Sequence, residues 1–347
     1  MKILHLIFTM KTGGTESMLI DIANEQSRMG HDVSVMVINR GSEPDLLAQF
    51  DSGVKIMEMN RRLSSRNPIP VVRTNLAVMK LNPDVIHVHN ERGVNILMPL
   101  LRRRIIQTVH TTGIGLQGCQ RQTPIVAISQ AVADDLKSRC GLESEVVMNG
   151  IRTDEIKRRQ PSERFDRVVC VGRLDVAVKG QDLLLKTLTC FPDLTLSLIG
   201  DGESMEGLKY LARDLRVASR VEFLGKMSRG EIYETLKDYD MFVLPSRQEG
   251  FGLVLAEAMA AGLPVVTSAL PGPMEVIDGG RLGYIFEPDS SRSLAEALQR
   301  LVNNRDDAQR IALTEGIDFV AQNFSVTKTA SRYIDLYGQY FPARCRV

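Results

Sequence analysis

Short β-branched and aliphatic runs alternate with stretches of helical periodicity along almost the whole chain, a pattern that parallel sheets joined by crossover helices satisfy and few other architectures do. Strands are expected at residues 2–8, 33–38, 54–57, 84–89, 105–109, 125–128 and 146–148. Between them lie amphipathic stretches such as 15–29 and 129–139, where Ser129 is well placed to cap a helix. After the turn dipeptide Asn149-Gly150 the alternation stops for a polar, charged stretch that carries Pro161. It resumes with strands expected at 168–171, 194–199, 221–224, 241–244, 264–267 and 284–286, and helical patterns close the chain, the last at 326–341. The reading is two consecutive doubly wound α/β domains: residues 1–150, a linker 151–166, a second domain 167–325, and a final helix and tail 326–347. A length of 347 residues agrees, because single cores stop growing near about 250–300.

Composition removes several classes of function. With 44% hydrophobic and 24% charged residues the chain is too apolar for disorder. Cys119, Cys140, Cys170, Cys190 and Cys345 are odd in number and contain no CxxC pair, which suits free thiols in a reducing cytoplasm. The apolar start at residues 3–8 is too short for a signal peptide and reads as a buried first strand, and no segment approaches the roughly 20 apolar residues of a membrane span. A net charge of +1 gives no overall pull toward nucleic acid.

In open parallel sheets ligands bind beyond the carboxyl ends of the strands, so the loops there are the candidate sites. The first, Thr12-Gly13-Gly14-Thr15-Glu16, leads into a helix; its glycines allow close backbone approach to an anion, and a plain tight turn explains them as well. No GxGxxG follows, which counts against a dehydrogenase. The second loop, residues 172–180, is flanked by Arg173 and Lys179, two cations that either converge on a phosphate pair or are solvated loop charges. The third begins at Pro245, carries Glu249 and Gly250, and enters a helix near Gly252 that holds Glu257 among apolar residues. A carboxylate so placed needs a partner or a polar ligand, and carboxylates suit paired sugar hydroxyls. Asp238-Tyr239-Asp240 spells DxD, a metal-binding pattern elsewhere, but it sits where a helix gives way to a strand and is read as structural. His87 and His89 alternate on one strand face without a third ligand nearby in sequence, so they read as core or cleft groups and no metal site is assigned.

The interval from Glu249 to Glu257 matches the Glu-x7-Glu signature of retaining glycosyltransferases. With Gly13-Gly14, Asn149-Gly150, Val171-Gly172-Arg173-Leu174, Lys179-Gly180 and the final helix, the chain resembles family 4 glycosyltransferases over essentially its whole length. The resemblance implies two Rossmann-like domains facing a central cleft, the GT-B arrangement, with the last helix crossing back to the first domain. It implies that Arg173 and Lys179 neutralise a donor diphosphate, that Glu257 holds the ribose hydroxyls, and that Glu249 contacts the transferred sugar. Backbone N–H groups of Phe251, Gly252 and Leu253 would line sugar and phosphate, Gly250 would also belong to the substrate-binding set, and Met227 would meet the base through its main chain. His110, at the end of the strand 105–109, would face the donor sugar at the reacting centre. No cofactor is expected: cations and a helix N-terminus stabilise the departing nucleoside diphosphate without a metal. Transfer would proceed with retention, the departing phosphate helping to deprotonate the acceptor hydroxyl. A UDP-sugar is the favoured donor, guanosine nucleotides second, and the acceptor a glycan or lipid-linked sugar in cell-surface polysaccharide or lipopolysaccharide assembly.

Two other readings fit the same architecture: a sugar-nucleotide epimerase, which lacks this Glu249–Glu257 signature, and a non-catalytic nucleotide-sugar-binding regulatory subunit. After His110 the next strand follows in about fourteen residues where many relatives insert a helical acceptor-binding segment, which favours a large or membrane-presented acceptor. Charge is also uneven along the chain. Residues 1–160 hold 21 Lys+Arg and 16 Asp+Glu, a net of +5, against 22 and 26, a net of −4, for the rest. Nine of those cations fall between Arg61 and Arg104, a patch suited either to solvent or to the anionic inner face of the cytoplasmic membrane.

Overall fold

The computed structural model describes residues 1–63, 67–90, 93–114, 123–163 and 165–342. Cys119, Cys345, Arg66, Glu91, Arg92 and most of the short segment after His110 lie outside the described residues. The chain divides into two compact units, residues 1–151 with 325–347, and residues 152–324.

The first unit contains β1 (Lys2–Ile7), β2 (Asp32–Asn39), β3 (Lys55–Arg61), β4 (Val85–Val88), β5 (Ile105–Val109), β6 (Ile125–Ala127) and β7 (Glu145–Val146). They form one parallel sheet in the order β3-β2-β1-β4-β5-β6-β7. β1, β2, β4 and β5 are almost wholly buried on both faces, so they do not alternate buried with exposed residues, and the polar side chains they carry, among them His5, Ser34, His87, Gln107 and Thr108, are buried as well. The helix Gly14–Arg28 follows β1 and packs against the closing helix Val326–Tyr340, which belongs to this unit although it ends the chain. Gly150 explains how that helix docks: a Cβ on it would lie 2.6 Å from the Val326 Cα and 2.8 Å from the Ser325 carbonyl oxygen.

The second unit contains β8 (Arg167–Val171), β9 (Thr195–Ile199), β10 (Val221–Gly225), β11 (Met241–Leu244), β12 (Val265–Ser268) and β13 (Tyr284–Phe286), again parallel, in the order β10-β9-β8-β11-β12-β13. Its core fills the space between the sheet and the helices Gln181–Leu188 and Ser291–Asn303, with Leu184, Leu196, Leu198, Val266 and Leu298 at its centre. Within the stretch expected as a linker, Arg159 is buried and donates to Asp240 at 3.3 Å.

Candidate active site

In the second sheet the strand order reverses between β8 and β11, and the loops leaving these neighbours therefore meet at a topological switch point. After β8 the chain makes a one-turn helix, Val176–Lys179, and stops at Gly180 with φ 66°, a conformation that favours glycine. Side-chain volume is also excluded there, since a Cβ on Gly180 would collide with the Pro245 carbonyl. The two loops are tied by backbone bonds from Arg247 and Gln248 to the Val178 oxygen, at 2.8 and 3.1 Å. Arg247 reinforces them by donating to the Val176 oxygen at 2.6 Å and to both oxygens of Asp182 at 2.7 and 3.1 Å. The consequence is that Lys179 Nζ lies 2.6 Å from Glu249 Oε2, with Ser246 Oγ at 3.4 Å from the same oxygen. Both members of the ion pair are largely buried, so neither is a screened surface charge.

Glu257 lies inside the helix Leu253–Ala260 and is buried. Its Oε1 accepts from Tyr233 Oη at 3.1 Å and Arg229 Nε at 3.3 Å, and the Arg229 guanidinium stands 5.3 Å from the Tyr233 ring centre. Both partners come from the helix Arg229–Thr235, whose start is set by a reciprocal capping box between Ser228 and Glu231. Arg229, Tyr233 and Ser246 were not among the sequence candidates. The capping box was legible in Ser228-Arg229-Gly230-Glu231, but which carboxylate that helix would reach was not.

Gly252 caps the Glu257 helix with φ 102°, and the backbone of Gly250 and Phe251 passes so close to Gly272 that a Cβ there would lie 2.6 Å from the Gly250 carbonyl. The Phe251 ring points into the core, edge-on to Phe324 at 5.2 Å, which leaves its main chain as the part available to a ligand. Leu253 opens the helix half-buried, and Met227 sits half-buried between β10 and the helix at Arg229. Arg173 is not drawn into the Lys179–Glu249 pair; its side chain is 65% exposed and reaches Asp175 at 2.9 Å.

The first unit has its own switch point, between β1 and β4. There Phe8 N donates to Asn90 Oδ1 at 2.6 Å. Gly13 is extended (φ −174°), a conformation any residue adopts, and the atom nearest to an added Cβ is the movable end of a side chain, Glu16 Oε2 at 2.7 Å. Burial pushes the Glu16 carboxyl up. Gly14 is the first residue of the helix. His110 follows β5, half-buried, and burial lowers its pKa to about 4. His5, distant in sequence, joins His87 and His89, so a third imidazole does stand beside the pair. The His87 and His89 rings are stacked at 4.1 Å, however, which directs their in-plane lone pairs side by side and not at a common point. His5 and His87 also engage both ring nitrogens in hydrogen bonds. The cluster is that of a hydrogen-bonded core.

Two family models together match residues 12–314: Glycosyltransferase Family 4 over residues 12–155, and Glycosyl transferases group 1 over residues 152–314. The chain belongs to the family 4 glycosyltransferases. The phosphatidyl-myo-inositol mannosyltransferase of Mycobacterium leprae is 27% identical over 84% of this chain and 84% of its own. The lipopolysaccharide core biosynthesis glycosyltransferase LpsE of Rhizobium meliloti is 27% identical over 97% and 98%. Among solved structures, Anabaena HepE in complex with UDP and glucose superposes with a TM-score of 0.82 at 24% identity, covering 97% and 99% of the two chains, which establishes the GT-B fold.

In this glycosyltransferase the DxD sequence has a structural explanation. Asp240 Oδ1 accepts from Arg159 and Arg167, each at 3.3 Å, while Oδ2 accepts from the backbone of Asp166 and Arg167 and from Arg167 Nε. Asp240 thus anchors the incoming chain to the base of β8 and β11.

Proposed function

We propose that the chain is a retaining hexosyltransferase that moves a sugar from a UDP-sugar to an acceptor hydroxyl without a metal, in the assembly of cell-surface polysaccharide or lipopolysaccharide. The observation that carries this reading is the Lys179–Glu249 pair, 2.6 Å apart at the switch point of the second sheet. A largely buried cation and carboxylate held by two stitched loops suit a ligand with a diphosphate next to a sugar. Lys179 and Arg173 take the diphosphate: the exposed Arg173–Asp175 pair contributes little and is readily exchanged for phosphate. Glu249 orients the transferred sugar, Glu257 the ribose, and Gly250, Phe251, Gly252, Leu253 and Met227 contribute backbone. Gly13, Gly14 and His110 belong to the acceptor-side half. The C1–phosphate bond breaks, the C1–acceptor oxygen bond forms on the same face, and the acceptor proton passes to the leaving phosphate. HepE, whose complex holds UDP and glucose, supports a uridine donor. Glu249→Ala abolishes transfer with the circular dichroism spectrum unchanged; retained turnover contradicts the assignment.

The acceptor is proposed to be presented at an anionic membrane surface. Among the described residues no helix is long and apolar enough to cross a membrane. The helix Ile69–Leu81 instead turns Thr74, Asn75 and Val78 inward and leaves Ile69, Val72, Leu76 and Met79 outward beside the exposed Arg73 and Lys80. Asn75 bonds the Ile96 oxygen and the Met98 nitrogen, bringing exposed Met98 and Leu100 next to this stripe, just before Arg102, Arg103 and Arg104. An outward apolar face rimmed by cations suits a headgroup layer.

A further inference from the structure

Four of the five histidines lie on one continuous hydrogen-bonded chain inside the first unit. From its inner end, Gln26 Oε1 meets His5 Nε2 at 2.8 Å, His5 Nδ1 meets His89 Nε2 at 3.0 Å, and His89 Nδ1 meets His110 Nε2 at 3.4 Å. On its other side Gln26 Nε2 donates to Tyr337 Oη at 3.4 Å. That hydroxyl lies 2.6 Å from His87 Nδ1, and His87 Nε2 lies 2.6 Å from Thr108 Oγ1. Gln26, His5, His87, His89, Thr108 and Tyr337 are all essentially inaccessible to solvent.

A neutral imidazole has one donor nitrogen and one acceptor nitrogen, so fixing one end of such a chain fixes every ring along it. A carboxamide oxygen can only accept, which puts the His5 proton on Nε2. His5 Nδ1 then accepts, which puts the His89 proton on Nε2. His89 Nδ1 accepts in turn, which puts the His110 proton on Nε2. Burial supports this by disfavouring imidazolium at each position, with His5 and His110 lowered to about 4 and His89 well below its usual value. Behind the amide, its NH2 donates to the hydroxyl of Tyr337, on the closing helix, at 3.4 Å, and that hydroxyl stands 2.6 Å from His87 Nδ1.

We propose that Gln26, through His5 and His89, is a positioning residue that fixes the tautomer of His110, so that the ring nitrogen left to a ligand, Nδ1, presents a lone pair to a sugar hydroxyl. The use of that lone pair in transfer rests on His110 standing at the reacting centre; the tautomer does not.

The test uses the full chain with 15N-labelled histidine. Long-range 1H–15N spectra near neutral pH report which ring nitrogen carries the proton, and His110→Asn assigns the signal. The expected result is a His110 with Nε2 protonated and Nδ1 bare. Gln26→Met, similar in length and without hydrogen-bonding groups, mixes the two tautomers and lowers kcat by roughly 10-fold with the donor KM little changed. Tyr337→Phe deletes one oxygen, keeps the packed ring and covers the case in which Gln26→Met fails to fold; it releases the amide and shifts the same signal. A protonated Nδ1 in the unmodified chain, or a His110 signal that neither variant moves, overturns the proposal. A tautomer that mixes while kcat holds supports the control of His110 by Gln26 and overturns the placement of His110 at the reacting centre.

Discussion

Single side chains here are decided by what burial does to charge. Asp240 has five donors and Arg159 is enclosed beside it, so Asp240→Ala leaves a guanidinium without its counter-charge. The expected loss is about 3–5 kcal/mol, read from denaturant midpoints, and a loss below 1 kcal/mol contradicts the structural role. The histidine chain makes the opposite kind of statement. His5 is held neutral, with its pKa lowered from 6.5 to about 4, so as pH falls the unfolded chain takes up its proton first. The stability this group contributes is complete above 6.5 and is lost progressively down to about 4, on the order of 3 kcal/mol for His5 alone. The melting temperature therefore falls between pH 7 and 5, and a flat profile there removes the claim that the chain is neutral when folded. At this scale the loops that hold Lys179 and Glu249 were legible as candidate sites from their place after β8 and β11, while the 2.6 Å pairing of the two side chains was not. That Arg229 and Tyr233 cover Glu257 was not, because the two helices are separated by a strand and neither carries a periodic sign of the other.

Among elements, every strand expected from the alternation is present, three of them with the bounds expected and the others with ends moved by at most four residues. β3 runs to Arg61 where the apolar pattern stops at 57, because ladder bonds to β2 carry the strand past it; its outward residues are exposed and so carry no hydrophobic signal. Helix ends were legible where a cap was, as at Ser129, whose oxygen accepts from Val132 N. Glycines separate into those that hold elements together and those that do not. Gly150→Ala drives a methyl into the backbone that starts the closing helix and is expected to cost about 1–3 kcal/mol. Gly207→Ala, inside the helix Met205–Asp214 with nothing within 4 Å of the new methyl, stabilises by about 0.5–1 kcal/mol. Equal effects of the two, measured by urea titration, would contradict the contact read at Gly150.

For the molecule as a whole, the exposed stripe on the helix Ile69–Leu81 is the feature whose consequence is largest. Sequence pointed to the cations between Arg61 and Arg104; the structure adds that the same region turns apolar side chains outward. Co-sedimentation with vesicles containing phosphatidylglycerol is expected, against little binding to pure phosphatidylcholine. Leu76→Asp with Met79→Asp abolishes it, and replacing Arg102, Arg103 and Arg104 by Gln weakens it by about 1 kcal/mol for each well-placed cation. Binding that ignores both substitutions and salt rules out this surface.

Local signals in the chain specified the two α/β units, their parallel strands and the positions of the loops after β8 and β11, because strand period, turn residues and the Glu249–Glu257 interval are local properties of the chain. The tertiary structure decided the partners. Lys179 meets Glu249 because β8 and β11 are neighbours, although 70 residues separate the two side chains. His5 joins His87, His89 and His110 because β1, β4 and β5 lie side by side, and the closing helix brings Tyr337 to Gln26 across 311 positions. Contacts of that range depend on strand order and on the path of the last helix, and hydrophobic periodicity, which reports which face is buried, carries no information about which other strand lies against it.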